Sequence, residues 1–304
     1  MQKKHQILIT GSSGMLGIDL SQELGGGCEV VGADIVHSPQ SIVHSFKECD
    51  ITDEKVVLDV VTEVRPDIVI HTAAMTDVDE CETNKDKAYK INSEGTWNVA
   101  LGCKKINASL IYISTDFVFD GKKKEPYKES DKVSPLSVYG DSKLKGEEAV
   151  KKAIKRYFIV RTSWLYGGHG KNFVDTILLK AKAGQTLKVV DDQSGSPTYT
   201  KDLAKALHAL LDKMFTGSGL EIADYGTYHV SNSGSVSWCD YAKEIIRSAG
   251  LKIKVAPISS EELDRPAKRP AMSVLDNSKF RVFTDYRMRG WKEALRDYMT
   301  ANVT

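Results

Sequence analysis

The sequence predicts an α/β fold, a doubly wound parallel sheet followed by a smaller C-terminal lobe that binds substrate. Three observations predict it. Short apolar runs of strand type alternate with helical runs from Gln6 to Thr162. A glycine turn, Gly11-Ser12-Ser13-Gly14-Met15-Leu16-Gly17, joins the first strand to the first helix. Small or polar residues, Gly11, Asp34, Ala73, Thr115 and Thr162, fall at the ends of the apolar runs, and in such sheets the carboxyl ends of the strands line the ligand crevice. On these signals residues 1–163 form the sheet domain and residues 164–304 the lobe, some of whose segments return to the sheet.

Gln6-Ile7-Leu8-Ile9-Thr10 is the first strand, and the helix after it carries Leu16, Leu20 and Leu24 on one stripe. Gly11 and Gly14 let the backbone turn sharply toward a pyrophosphate, the helix start at Met15 and Leu16 offers unpaired N–H groups, and Gly17 allows close packing. A second strand, Cys28 to Ala33, ends at Asp34. A carboxylate there accepts bonds from ribose hydroxyls and repels an added 2′-phosphate, so NADH is preferred over NADPH. Asp50-Ile51-Thr52-Asp53 follows a third short strand; it places a carboxylate beside the adenine, caps the helical run Glu54 to Val64, or both. The fourth strand, Pro66 to His71, leads to small residues at Ala73 and Ala74 and then Met75, where bulk would block a cofactor. One helix is expected from Lys85 to Lys104, with Ala88, Ile91, Val99 and Cys103 inward and Asn92 among them. The fifth strand, Ala108 to Ser114, ends at Thr115; Ser134-Pro135 opens a helix running to about Arg156. Tyr157 to Arg161 is the sixth strand.

Beyond Trp164 the loop Gly167-Gly168-His169-Gly170 opens the lobe, with helices over Asn172–Ala183, Lys201–Met214 and Trp238–Ser248. Thr186 to Val190 and Tyr228 to Val230 are strand-like. The loop Arg265-Pro266-Ala267-Lys268-Arg269-Pro270 is stiffened by its prolines, and its arginines suit either a diphosphate or solvent.

With 42 basic and 41 acidic residues, nothing in the charge balance calls for nucleic acid or a membrane surface. Five dispersed cysteines without a Cys-x-x-Cys argue against a disulfide framework or a zinc site. No apolar run reaches the roughly eighteen residues of a membrane span. The expected location is the cytoplasm.

Tyr139 and Lys143 lie four residues apart on one helix face, behind Thr115 at a strand end. An ammonium near a phenol favours its ionised form, so this pair suits proton transfer. Together, Gly11-x-x-Gly14-x-x-Gly17, Asp50-Ile51, Ala73-Ala74, Asn92, Thr115 and Tyr139-x-x-x-Lys143 resemble the extended short-chain dehydrogenase/reductases. Within them, Ala73-Ala74-Met75-Thr76-Asp77-Val78-Asp79, Ser114-Thr115-Asp116-Phe117-Val118-Phe119-Asp120-Gly121, Arg161-Thr162-Ser163-Trp164-Leu165-Tyr166 and Arg269-Pro270-x-x-Ser273-x-Leu275 are similar to the dTDP-4-dehydrorhamnose reductase family.

That resemblance implies a Rossmann domain, a bound NADH or NADPH, a dTDP-sugar substrate and reduction of its C4 ketone. It implies that Tyr139 gives the proton, Lys143 lowers the phenol's pKa and binds the nicotinamide ribose, and Thr115 bonds the carbonyl. It further implies sugar contacts from Asp116 and Trp164 and diphosphate contacts from Asn172 and Arg269. Some members of the family are described as magnesium-assisted dimers; no carboxylate cluster in this sequence assigns a metal, and the chain is expected to be a monomer or homodimer. A dehydratase on this fold uses Thr-Asp-Glu, whereas Phe117 stands at the glutamate position here. A C4 epimerase and the regulatory subunit of methionine adenosyltransferase share the fold and stay open as alternatives.

Overall fold

In the computed structural model, which describes residues 4–216 and 220–302, the chain begins with β1 (Gln6–Thr10), α1 (Met15–Leu24), β2 (Glu29–Asp34), β3 (Ser45–Glu48), α2 (Glu54–Val64) and β4 (Ile68–His71). Next come α3 (Val78–Thr83), α4 (Lys85–Tyr89), α5 (Thr96–Ile106), β5 (Ser109–Thr115), α6 (Val138–Ala153) and β6 (Tyr157–Thr162). The remaining helices are α7 (Phe173–Lys182), α8 (Thr200–Thr216), α9 (Trp238–Ser248), α10 (Ser260–Leu263), α11 (Ser278–Thr284) and α12 (Trp291–Asn302).

Six strands and a seventh, Gly226–His229, form one sheet in the order seventh strand, β6, β5, β4, β1, β2, β3. Every neighbouring pair is parallel. Helices cover both faces because successive strand residues point to opposite sides. Ile7 and Ile9 face α1 and α8 with Leu16, Leu20, Leu24, Leu203 and Leu207; Leu8 faces α2 and α5 with Val57, Val61, Val99 and Cys103. Strand order reverses between β1 and β4, and this switch point opens the ligand crevice.

The lobe has its own core, in which Val174, Ile177, Tyr241, Ile245, Leu295 and Tyr298 of α7, α9 and α12 meet Leu187. Leu187–Val190 pairs in parallel with Val255–Ile258. The seventh strand and α8 come from the second half of the chain and complete the sheet layer. No helix of the described residues is long and apolar enough to cross a membrane, and all five cysteines are buried and free.

Two helices differ from the sequence expectation. The run expected as one helix from Lys85 to Lys104 is α4, a π-helical turn over Lys90–Gly95, and α5. That turn presents the Asn92 side chain to Met75, whose N–H donates to it at 2.8 Å and whose carbonyl accepts from it at 3.0 Å. The helix of Tyr139 starts at Val138, where Ser137 caps it by accepting from the Gly140 N–H, not at Ser134-Pro135, and it ends at Ala153.

A buried ion pair fixes α6 to the sheet. Arg161 of β6 donates to both carboxylate oxygens of Glu147, at 2.8 and 2.7 Å, and the Ser114 hydroxyl of β5 donates to one of them at 2.7 Å. Burial pushes the Glu147 carboxyl up, but the Arg161 guanidinium outweighs it and holds the group below the usual carboxylate range. Glu147→Ala leaves Arg161 buried without its counter-charge and is expected to cost about 3–5 kcal/mol in denaturant unfolding. Lys151→Ala, removing an ammonium 41% exposed and 3.5 Å from the same carboxylate, should cost less than about 1 kcal/mol. Equal losses in the two variants would contradict this assignment.

Candidate active site

The glycine turn leads from the end of β1 into α1 and passes close to the segment that follows β4. Gly11 has φ +75°, and a Cβ there would lie 2.5 Å from the Ala73 nitrogen; one at Gly17 would lie 2.2 Å from the Gly11 carbonyl oxygen. Both positions require glycine, and the close approach they permit is what a pyrophosphate over the turn needs. Gly14 caps α1 without a side-chain bond, so the first N–H groups of the helix, at Met15 and Leu16, stay available to an anion. Leu16 points its side chain into the core. Asp34 ends β2 and accepts from the Ser13 N–H at 3.0 Å and the Ile35 N–H at 2.8 Å, which ties this carboxylate to the glycine turn. Asp50 accepts from the Thr52 N–H, Ile51 is buried with its carbonyl bonded to Asn98, and Asp53 caps α2. Ala73 is held by its N–H to the Thr10 carbonyl. Ala74 follows it, and Met75 is locked by Asn92. These residues would hold a dinucleotide along the switch point.

Thr115 ends β5, where its hydroxyl accepts from the Phe117 N–H and donates to Asp116, both at 3.1 Å. Tyr139 stands across the crevice with its ring edge-on to Phe117, centroids 5.6 Å apart. Burial holds the Tyr139 phenol above its ordinary range, while its hydrogen bond with Thr115 pulls the other way. The phenol therefore keeps its proton at neutral pH. Lys143 donates to the Ile113 carbonyl at 2.7 Å and lies 4.2 Å from the Tyr112 ring centroid. Burial pushes the Lys143 ammonium down to about 7, against the pull of the Glu147 carboxylate. In this geometry the Lys143 ammonium faces the β5 backbone, and burial governs the Tyr139 phenol.

Asp116 is fully enclosed, 1% exposed. Burial pushes its carboxyl up to about 7, with hydrogen bonds from Ser273 and Thr115 pulling back. Trp164 adopts φ +47° and stacks on Trp238 with centroids 3.5 Å apart. Such a backbone for a bulky residue is strained and is held only by its surroundings. Arg269 donates to Asp79 at 3.0 Å and to the Ala267 carbonyl at 2.9 Å. Asn172, expected on the diphosphate side, stands at the start of α7. It caps α7 by accepting from the Asp175 N–H, and its amide nitrogen lies within hydrogen-bond distance of the Gly167 carbonyl, the Asp175 carboxylate and the Tyr298 hydroxyl. Sequence reasoning missed Ser273, Trp238 and Asp79, whose roles arise from contacts far along the chain. Among the described residues, no group of three or more His, Cys, Asp or Glu is arranged to hold a metal ion.

Residues 5–303 match the family model described as RmlD substrate binding domain. The chain belongs to this family. It is 41% identical over 294 residues to the Bacillus subtilis spore coat polysaccharide biosynthesis protein SpsK, with 97% of this chain and 96% of that protein covered. It is 36% identical over 300 residues to the dTDP-4-dehydrorhamnose reductase of Aggregatibacter actinomycetemcomitans, covering 96% and 97% of the two. A crystal structure of dTDP-4-dehydrorhamnose reductase from Bacillus anthracis in complex with NADP superposes with TM-score 0.89 at 40% identity, over 98% of this chain and 99% of that one.

Within this RmlD-family site, Asp116 makes stability pH-dependent. A carboxyl raised from 3.8 to about 7 is protonated in the folded state while the unfolded chain has lost that proton, so its contribution is largest at low pH and falls as pH rises from about 4 to 7. Asp116→Asn should therefore gain on the native protein across that window, by up to about 1.4 kcal/mol per pH unit, read by denaturant unfolding at several pH values. Parallel curves for the two proteins would contradict the buried, protonated Asp116.

Proposed function

We propose that this chain reduces the C4 ketone of dTDP-4-dehydro-L-rhamnose to dTDP-L-rhamnose with NAD(P)H, the last step in making that sugar donor. The observation that carries the reading is the meeting of Thr115 and Tyr139 at the carboxyl end of β5, where Lys143 donates to the Ile113 carbonyl, in a chain matched almost end to end by dTDP-4-dehydrorhamnose reductases. When bound, the nicotinamide supplies the hydride. Thr115 donates a hydrogen bond to the ketone oxygen and Tyr139, kept protonated by burial, gives its proton to the oxygen as negative charge develops there. Lys143, whose ammonium donates to the Ile113 carbonyl, would hold the nicotinamide ribose, and Asp116 and Trp164 would bound the sugar. Phe117, packed against the Tyr139 ring, leaves no carboxyl to assist elimination of water.

Residues 1–163 supply the cofactor side and the lobe supplies most of the substrate side. Asp34 favours NADH, although the Bacillus anthracis relative is a complex with NADP, so both cofactors belong in every assay. The reading implies a cytoplasmic enzyme working as a monomer or homodimer.

The test follows NADH and NADPH oxidation at 340 nm with dTDP-4-dehydro-6-deoxyglucose and its 3,5-epimerase. Loss of absorbance that requires the epimerase supports the proposal; no loss with either cofactor overturns it. Tyr139→Phe should lower kcat by about 10²–10⁴-fold while cofactor affinity stays within about twofold, because only the proton donor is removed. Joint loss of turnover and cofactor binding would make the tyrosine structural. Asp34→Ala should raise the relative use of NADPH, and an unchanged NADH/NADPH ratio would remove Asp34 from cofactor selection.

A further inference from the structure

His71 ends β4, the central strand of the sheet, is fully enclosed, and takes no part in the chemistry proposed above. Its ring lies between two hydroxyls: Nδ1 is 2.7 Å from that of Thr10, at the end of β1, and Nε2 is 3.1 Å from that of Thr96, at the start of α5. The single hydroxyl proton of Thr96 goes to the Asn92 carbonyl at 2.8 Å, so the Thr96 oxygen accepts from the ring. The imidazole proton therefore sits on Nε2, and Nδ1 accepts from Thr10. Burial, with the Lys143 ammonium acting the same way, pushes the ring down to about 3, which keeps it neutral and in this one tautomer at neutral pH.

The bonds continue beyond Thr96 in the same direction. The Asn92 amide donates to the Ser142 hydroxyl at 3.0 Å, and that hydroxyl donates to the Tyr139 carbonyl at 2.9 Å. Thr96 and Ser142 each accept one bond and give their one proton to the next acceptor, and Thr10, His71, Thr96, Asn92 and Ser142 are all buried. One end of the series is Thr10, which precedes Gly11 and whose carbonyl accepts from the N–H groups of Thr72 and Ala73. The other end is the turn of α6 that bears Tyr139. The series thus crosses from the glycine turn, through β4 and the π-helical turn, to the helix of the proton donor. His71 also lies against the Tyr112 ring, centroids 5.5 Å apart, and the Lys143 ammonium is 4.2 Å from the centroid of that same ring. An apolar residue at this strand end would fill the space without burying a polar ring; the histidine instead joins two hydroxyls that reach it from different elements.

We infer that His71 is a positioning residue for the reduction: as the central link of this buried series it holds the glycine turn and the Tyr139 turn of α6 in one fixed relation, so that cofactor and proton donor meet in register. This rests on the role proposed above for Tyr139.

The experiment uses the full chain, His71→Phe, His71→Gln, Ser142→Ala and the double variant of His71→Phe with Ser142→Ala. NMR of the imidazole nitrogens in the wild-type protein should find the proton on Nε2 at neutral pH; a proton on Nδ1 would overturn the series. His71→Phe keeps a ring against Tyr112 but removes both bonds, and it should lower kcat for the dTDP-sugar about 10–100-fold with KM and NADPH affinity within about threefold. His71→Gln, whose amide accepts at one end and donates at the other, should recover part of that loss. Ser142→Ala cuts the same series further on, so the double variant should fall no more than about twofold below His71→Phe alone. Full kcat in His71→Phe, an equal loss in His71→Gln, or losses that multiply in the double variant would overturn the inference. Where His71→Phe does not fold, Thr96→Val, which removes a hydroxyl and keeps the shape, replaces it in each comparison. A wild-type chain that does not reduce the dTDP-sugar is read by amide hydrogen exchange: faster exchange at Tyr139 to Lys143 in His71→Phe, restored in His71→Gln, would uphold the series and overturn only the substrate reading, whereas unchanged exchange there would overturn both.

Discussion

The buried pair of Glu147 and Arg161 is the constraint on which the site depends. Two charges out of water are tolerated when their geometry is fixed and most of their bonding groups are met; here the carboxylate takes three donors from β5 and β6, while Nη1 of Arg161 is buried without a hydrogen-bond partner among the described residues. The helix that bears Glu147 cannot slide or rotate without uncovering a charge. Lys143 and Tyr139 lie one and two turns back on that same face, so the pair fixes the height of both above the carboxyl end of β5. It also places a negative charge behind Lys143, which opposes the tendency of burial to neutralise it.

A second constraint acts at the switch point between β1 and β4. The glycine turn and the segment Ala73 to Met75 approach each other too closely for any side chain at Gly11, and the π-helical turn at Asn92 locks Met75 from behind. A π turn inserts one residue into a helix and is common at functional positions. In this chain it turns Asn92 onto Met75, and the segment after Met75 continues through Asp77 into the turn that holds Asp79.

Much of this was legible in the sequence. Strand periodicity, the glycine turn, the stripe of Leu16, Leu20 and Leu24, the Asp53 cap and the spacing of Tyr139 and Lys143 are local signals, and local signals survive folding. Other features depend on partners distant along the chain. The helical pattern from Lys85 to Lys104 runs unbroken, and the bonds of Asn92 to Met75 and Ser142, far along the chain, accompany the π turn. The segment Tyr228 to Val230 reads as a strand, yet nothing near it says that it pairs with β6. Asn172 looks the same as a ligand or as a cap until Gly167 and Tyr298 arrive beside it. Lys143 obeys its spacing, but desolvation and the Ile113 carbonyl decide where its ammonium points and how its charge is held.

The account stands or falls on where the hydride goes. The most direct measurement supplies NADPH and NADH deuterated at the transferring nicotinamide carbon, with the epimerase-generated 4-keto sugar, and locates the isotope in the product by NMR. Deuterium at C4 of a newly formed dTDP-L-rhamnose is the predicted result, with almost none in the Tyr139→Phe protein. An unlabelled product, or deuterium at another carbon, would contradict the reductase assignment and the roles given to Thr115, Tyr139 and Lys143.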